Sequence, residues 1–216
     1  MPIKKILEMC TVFIILALIS FVYTNLSFID PKLNMIANVI YSSIVIFVIL
    51  FTVLKYENRG LDSLGIYTSN IKKQLLIGLF IFINIISPIL FKLFWEGHDN
   101  TILLIKHMTP PIFIFNLLDN FLFVGISEEI IFRGYLLTRL KEISNSSIFA
   151  IIVSSIIFGA CHYPINKDIG QVVLAILIGI LFSSYKVVYK NCGLLSLAFA
   201  DGLYDASLLA LGYLLL

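Results

Sequence analysis

The chain has 216 residues, the size of one ordinary domain. Hydrophobic residues make up 60% and charged residues 13%, against about 45–50% and about 25% in soluble domains. Too few polar groups remain to cover a water-facing surface, which excludes a secreted, disordered or soluble nucleic-acid-binding protein. A net charge of +2 with scattered lysines points to no polyanionic partner and no nucleic acid.

Lys4 and Lys5 precede an apolar run from Ile6 to about Ile29. That run is too long for the core of a signal peptide and has no A-x-A-like cleavage site, so it reads as an uncleaved first span. A spanning helix needs about 20 mostly apolar residues. Seven stretches meet or approach that length, at about 6–28, 34–54, 72–94, 111–138, 147–163, 169–188 and 193–215. The expected fold is therefore all-α: a polytopic membrane protein of about seven transmembrane helices in one domain over residues 1–216. Residues 1–110 would form a front group of three helices and 111–216 a rear core of four. Cys10, Cys161 and Cys192 lack the CxxC spacing of a metal or redox site and read as small packing residues.

The connections define an orientation. With the N-terminus inside, the inner segments hold Lys4, Lys5, Lys55, Arg59, Lys72, Lys73, Arg139, Lys141, Lys186 and Lys190, and the outer ones Lys32, Lys92, Lys106 and Lys167. This bias predicts a cell-membrane protein with a cytoplasmic N-terminus and an outside C-terminus. The alternation works only if all seven spans are real. The longest polar stretch, Lys55 to Asn70, reads as an inner loop or an interfacial helix.

Ionisable groups at membrane depth cost about 2.5–3.5 kcal/mol each on the insertion scale and normally mark function. Glu128, Glu129, Arg133, His162, Asp201 and Asp205 all fall in the rear spans, and the first three spans hold nothing comparable. Glu129 and Arg133 are four apart, hence on one helix face in the favourable order. Pairing them leaves Glu128, about 100° round the helix, for another task. Phe158 and His162 are likewise four apart, so the aromatic ring supports the imidazole. Asp201 and Asp205 form a third such pair, whose carboxylates repel unless a proton or cation lies between them. Glu128, His162, Asp201 and Asp205 could thus converge from three helices on a divalent metal such as zinc, manganese or iron. A proton or cation relay would use the same residue types.

These motifs resemble those of the CAAX-protease and bacteriocin-processing family of intramembrane proteases, also called Abi. Ser127-Glu128-Glu129-Ile-Ile-Phe-Arg133-Gly134 is similar to its EExxxR signature, Phe158-Gly-Ala-Cys-His162 to its FxxxH motif, and Ala200-Asp201-Gly202-Leu203-Tyr204-Asp205 to its third, usually HxxxN or HxxxD. The resemblance covers about residues 110–216; the first three spans share only hydrophobicity. It implies a membrane enzyme that hydrolyses a peptide bond in a cavity within the bilayer. Glu128 would activate water, Glu129 and Arg133 would support it, and His162 would hold that water directly or through zinc. Asp201 and Asp205 would complete the metal site or stabilise the oxyanion.

One position departs from the pattern: Asp201 stands where the third motif begins with His. As a metal ligand Asp can substitute, giving a harder site. As an oxyanion donor it cannot while ionised, because a carboxylate only accepts. The expected partners are the bilayer and a peptide or membrane-protein substrate, with peptide maturation or self-immunity as the role; the oligomeric state is not legible. Two rival readings are a non-catalytic bacteriocin-immunity or binding protein, and a proton or cation transporter. The latter usually shows inverted repeats or broken helices, which the sequence does not display.

Overall fold

A computed structural model describes residues 2–26, 31–96, 109–166 and 168–215. Most of these residues are helical, with no strand among them. Backbone amides without water to bond to must pair within their own segment, so helices are the form such apolar runs take in lipid. Seven helices follow in order: α1 (Pro2–Asn25), α2 (Pro31–Phe51), α3 (Ile71–Glu96), α4 (Pro110–Ser144), α5 (Ser147–Asn166), α6 (Ile169–Val188) and α7 (Leu194–Leu215). All but α5 are long and apolar enough to cross a membrane, and the apolar part of α5, Ser147–Tyr163, is shorter. The chain is thus an all-α, multi-pass membrane protein.

Local chemistry sets the ends. Pro110 and Pro111 open α4, where a missing N–H costs nothing. Asn145, at φ 54°, closes α4 in the left-handed conformation. The Asp168 carboxylate caps α6 by accepting from the Gly170 amide at 2.7 Å.

Helix α4 is longer than the expected 111–138. Its last turns, Leu137–Ser144, bury Leu137, Arg139 and Leu140 and expose Lys141, an amphipathic pattern that continues the helix beyond the apolar run. Two π-helical segments, Asn120–Val124 and Ile130–Leu136, interrupt it.

The stretch 55–70 also differs from a solvent loop. A π turn, Thr52–Tyr56, prolongs α2, and a 3-10 turn, Leu61–Leu64, inserts Leu64 completely into the core. Gly65 then turns at φ 84° and its carbonyl accepts from the Leu194 amide at 2.8 Å. Leu64 is the reason the loop folds inward: exposed, it would forgo roughly 1.5–3 kcal/mol of burial.

Helix α3 packs along α7, α5 along α6, and α2 along the middle of α4. One core cluster joins Ile81, Ile85 and Ile86 of α3 to Phe182, Leu197, Ala200 and Tyr204 of the rear helices, so front and rear groups share a core. Small residues let the backbones close up, as in other membrane bundles. A Cβ on Gly159 of α5 would lie 2.8 Å from the Val172 carbonyl oxygen of α6.

One end of the bundle carries a charged lattice. Arg139 binds Glu57, its Nε 3.1 Å from Oε1, and its Nη1 lies 3.3 Å from Glu142. Arg59 grips Glu142 at 2.6 and 3.0 Å, and Lys5 joins at 3.3 Å. These residues come from the start of α1, the segment after α2 and the end of α4, the alternation that the spans require.

Candidate active site

Helix α4 holds Glu128 and Glu129 on one short α-helical stretch, Gly125–Glu129, between its two π segments. A π turn widens the helix and frees a backbone carbonyl, a feature common at functional sites. In the second π segment the Arg133 carbonyl oxygen is taken by Lys186 Nζ of α6 at 2.6 Å, and the same ammonium donates to the Leu64 carbonyl at 2.7 Å. Sequence counting placed Lys186 among the inner charges; in the fold it clamps the π segment to the inserted loop.

The expected pair is present. Arg133 Nη1 donates to Glu129 Oε1 at 2.6 Å, with side chains 1% and 0% exposed. The guanidinium lies over the Phe158 ring at 4.1 Å and the Phe182 ring at 5.1 Å, a cation–π setting suited to a planar, weakly hydrated cation. Phe158 also meets His162 edge-on, with centroids 4.7 Å apart. A chain of contacts therefore runs Glu129–Arg133–Phe158–His162. His162 Nδ1 lies 2.9 Å from the Phe158 carbonyl oxygen. A carbonyl only accepts, so Nδ1 is the donor and, in the neutral ring, Nε2 keeps a free lone pair.

Asp201 enters from α7, at the place where α7 crosses α4. A Cβ on Gly202 would lie 2.9 Å from the Phe121 carbonyl oxygen, and one on Gly125 3.4 Å from Asp201 Oδ2. These glycines bring Asp201, 5% exposed, against the Glu128 stretch. Asp205, one turn on, and Glu128 are half-buried. Glu128, Asp201 and Asp205 are electrostatic neighbours of one another. Glu129 Oε2, Arg133 Nη2 and Asp201 Oδ2 are buried without a hydrogen-bond partner, the kind of atoms that an internal water satisfies.

The fold therefore brings the seven expected residues into two groups, the Glu129–Arg133–Phe158–His162 chain and the Glu128–Asp201–Asp205 carboxylates. It does not draw them into a ligand set: among the described residues, no three His, Cys, Asp or Glu side chains are arranged to hold a metal ion. A cavity of about 240 Å³ lies elsewhere, within the charged lattice, lined by residues such as Lys5, Glu57, Arg59 and Arg139.

Sequence reasoning passed over Asp119. It too sits inside a span, 5% exposed, accepting from Asn38 Nδ2 of α2, while Asn38 Oδ1 accepts from Tyr23 of α1 at 3.2 Å. The signal was available, since the rule applied to Glu128 applies equally to a carboxylate nine positions earlier.

Comparison with curated proteins and with solved structures returns no match. A family model does match, that of the Rce1-like type II CAAX prenyl endopeptidases, over residues 110–207. The matched segment contains Glu128, Glu129, Arg133, Phe158, His162, Asp201 and Asp205, every side chain of the two groups just described. Over residues 110–207 this membrane protein is thus similar to the Rce1-like type II CAAX prenyl endopeptidases.

Proposed function

We propose that the protein is an intramembrane endopeptidase in which Glu128 is the general base. The observation that carries this reading is the division between two adjacent carboxylates. Glu129 is consumed by Arg133 in a fully buried pair, whereas Glu128 stays half-buried, beside Asp201 and Asp205 and free of that pair. Glu128 takes a proton from a water molecule, the hydroxide attacks the scissile carbonyl, and Glu128 returns the proton to the leaving amine. His162 Nε2 accepts from that water or from the amine. These steps use only this protein's own side chains, since among the described residues no three donors are arranged to hold a metal ion.

The substrate class is a peptide segment of a membrane-associated or secreted protein. A family of CAAX prenyl endopeptidases suggests a bond close to a lipid anchor, which would deliver it at membrane depth. The end bearing Lys5, Arg59, Arg139 and Lys190 faces the cytoplasm, in keeping with the positive-inside rule. In the test, wild type and Glu128→Gln are reconstituted with two quenched-fluorescent peptides, one ending in a farnesylated CAAX sequence and one a hydrophobic leader peptide. Glu128→Gln should keep its thermal stability and lose cleavage by about 10²–10⁴-fold. Undiminished turnover in that variant sinks the general-base role. If the wild type cleaves neither peptide but binds one, the immunity-protein reading replaces the protease.

A further inference from the structure

The charged lattice at one end of the bundle encloses a cavity of about 240 Å³ that the peptidase reading leaves unused. Its walls come from the first turns of α1, the segment after α2 and the last turns of α4, and they carry four basic and three acidic side chains.

The floor of this cavity is a buried ion pair. Arg139 and Glu57 face each other with side chains 5% and 8% exposed. The Arg139 guanidinium lies 5.3 Å from the centre of the Tyr135 ring, and Tyr135 is fully buried. Above the floor, Glu142 accepts from Arg59 at 2.6 and 3.0 Å, from Lys5 at 3.3 Å and from Arg139 at 3.3 Å. Two carboxylates thus hold three cations. Lys4 and Glu8, 3.8 Å apart, balance each other and leave that excess of one positive charge in place.

The position and size of the cavity narrow the anion that would neutralise it. It lies at the ends of α1, α2 and α4, three helices long enough to cross the membrane, and hence at headgroup depth. Ile3 and Leu7, which flank Lys4 and Lys5 on α1, are 71% and 62% exposed. A soluble anion would satisfy the charge alone, whereas a lipid would also cover these apolar side chains. The volume is below the roughly 300–1,000 Å³ of drug-sized pockets, which suits a headgroup whose chains stay outside.

We propose that this cavity binds the phosphodiester headgroup of one anionic phospholipid of the phosphatidylglycerol type, with its acyl chains along α1. Basic pockets between transmembrane helices at the membrane surface take such headgroups. Arg59 and Lys5 donate to the phosphate oxygens, and Arg139 stays with Glu57. A guanidinium matches phosphate geometry better than an ammonium does. Bound lipid ties α1 to α4, and Tyr135 on the floor belongs to the second π segment. The site is separate from Glu128 and does not rest on the peptidase reading.

For the test, wild type, Lys5→Gln, Arg59→Gln and Lys190→Gln are purified in a neutral detergent. Each is titrated with dioleoylphosphatidylglycerol, dioleoylphosphatidylcholine or glycerol phosphate. Native mass spectrometry counts the bound molecules, and thermal unfolding is followed alongside. Wild type should retain one phosphatidylglycerol and melt higher with it, and neither of the other two compounds should do this. Arg59→Gln and Lys5→Gln should each weaken that binding by about fivefold or more; Lys5→Gln decides the matter if Arg59→Gln fails to fold. Lys190→Gln, an equal loss of charge outside the cavity, should leave it unchanged. Equal binding of phosphatidylcholine, wild-type binding in Lys5→Gln, or the same loss in Lys190→Gln overturns the site. Saturation by glycerol phosphate at the same concentration overturns the lipid as its ligand.

Discussion

Lys186 Nζ and the Arg133 carbonyl oxygen are 2.6 Å apart, joining α6 to the π segment that begins one residue after Glu129. Hydrogen bonds from a charged donor contribute about 1.5–3 kcal/mol each, and Lys186 makes a second one to Leu64. Lys186→Met should therefore lower the thermal unfolding temperature in detergent by several degrees, whereas Lys190→Met, at an exposed turn position, should not. Equal melting of the two variants would contradict this account of the π segment.

The buried Glu129–Arg133 pair makes an asymmetric prediction. Removing one partner strands a charge and costs about 3–5 kcal/mol, while removing both can be close to neutral. Arg133→Met should give poorly expressed or aggregated protein, and Glu129→Gln combined with Arg133→Met should recover much of the folded yield. Size-exclusion profiles of the single and double variants decide it. A double variant no better than Arg133→Met would show that the guanidinium matters through Phe158 and Phe182 instead.

At the crossing of α4 and α7, a methyl group on Gly202 would meet Phe121 Cδ2 at 2.8 Å and its carbonyl oxygen at 2.9 Å. Because the backbone oxygen cannot rotate away, Gly202→Ala should separate the helices at a cost of about 1–3 kcal/mol. Its neighbour Asp201 would move with α7. Reduced cleavage together with a lowered melting temperature is expected; wild-type behaviour in both would mean that the crossing has slack.

Zinc was an expectation of the motif pattern, whereas the mechanism proposed above uses only the side chains of this protein. Cleavage by the purified protein should persist in 1,10-phenanthroline or EDTA. Inhibition reversed by added zinc would show that His162, Asp201 and Asp205 regroup around an ion.

Orientation can be read with an impermeant thiol reagent on intact cells. A cysteine introduced at Lys190 should stay unlabelled until the membrane is opened. Labelling of intact cells would invert the assigned topology.

Much of this protein was determined by the sequence alone, for a simple reason. Lipid penalises each unpaired amide and each charge so heavily that apolar run lengths reveal the helices, and the exceptions reveal the site. Glu129 and Arg133 were legible as a pair, and Phe158 as the support of His162, because both lie four apart on one helix. Other features were decided only by tertiary structure. Lys186 looked like a surface charge until α6 packed beside α4 and offered it two carbonyls. Leu64 sat in a polar stretch, and only the bundle provided the space that buries it. The π segments that bracket Glu128 and Glu129 leave no periodic trace in so uniformly apolar a run. Whether four donors meet at a metal depends on helix crossings such as that at Gly202, where close backbone approach sets the position of Asp201. Spacing along one helix fixes a face, but distances between helices follow from packing.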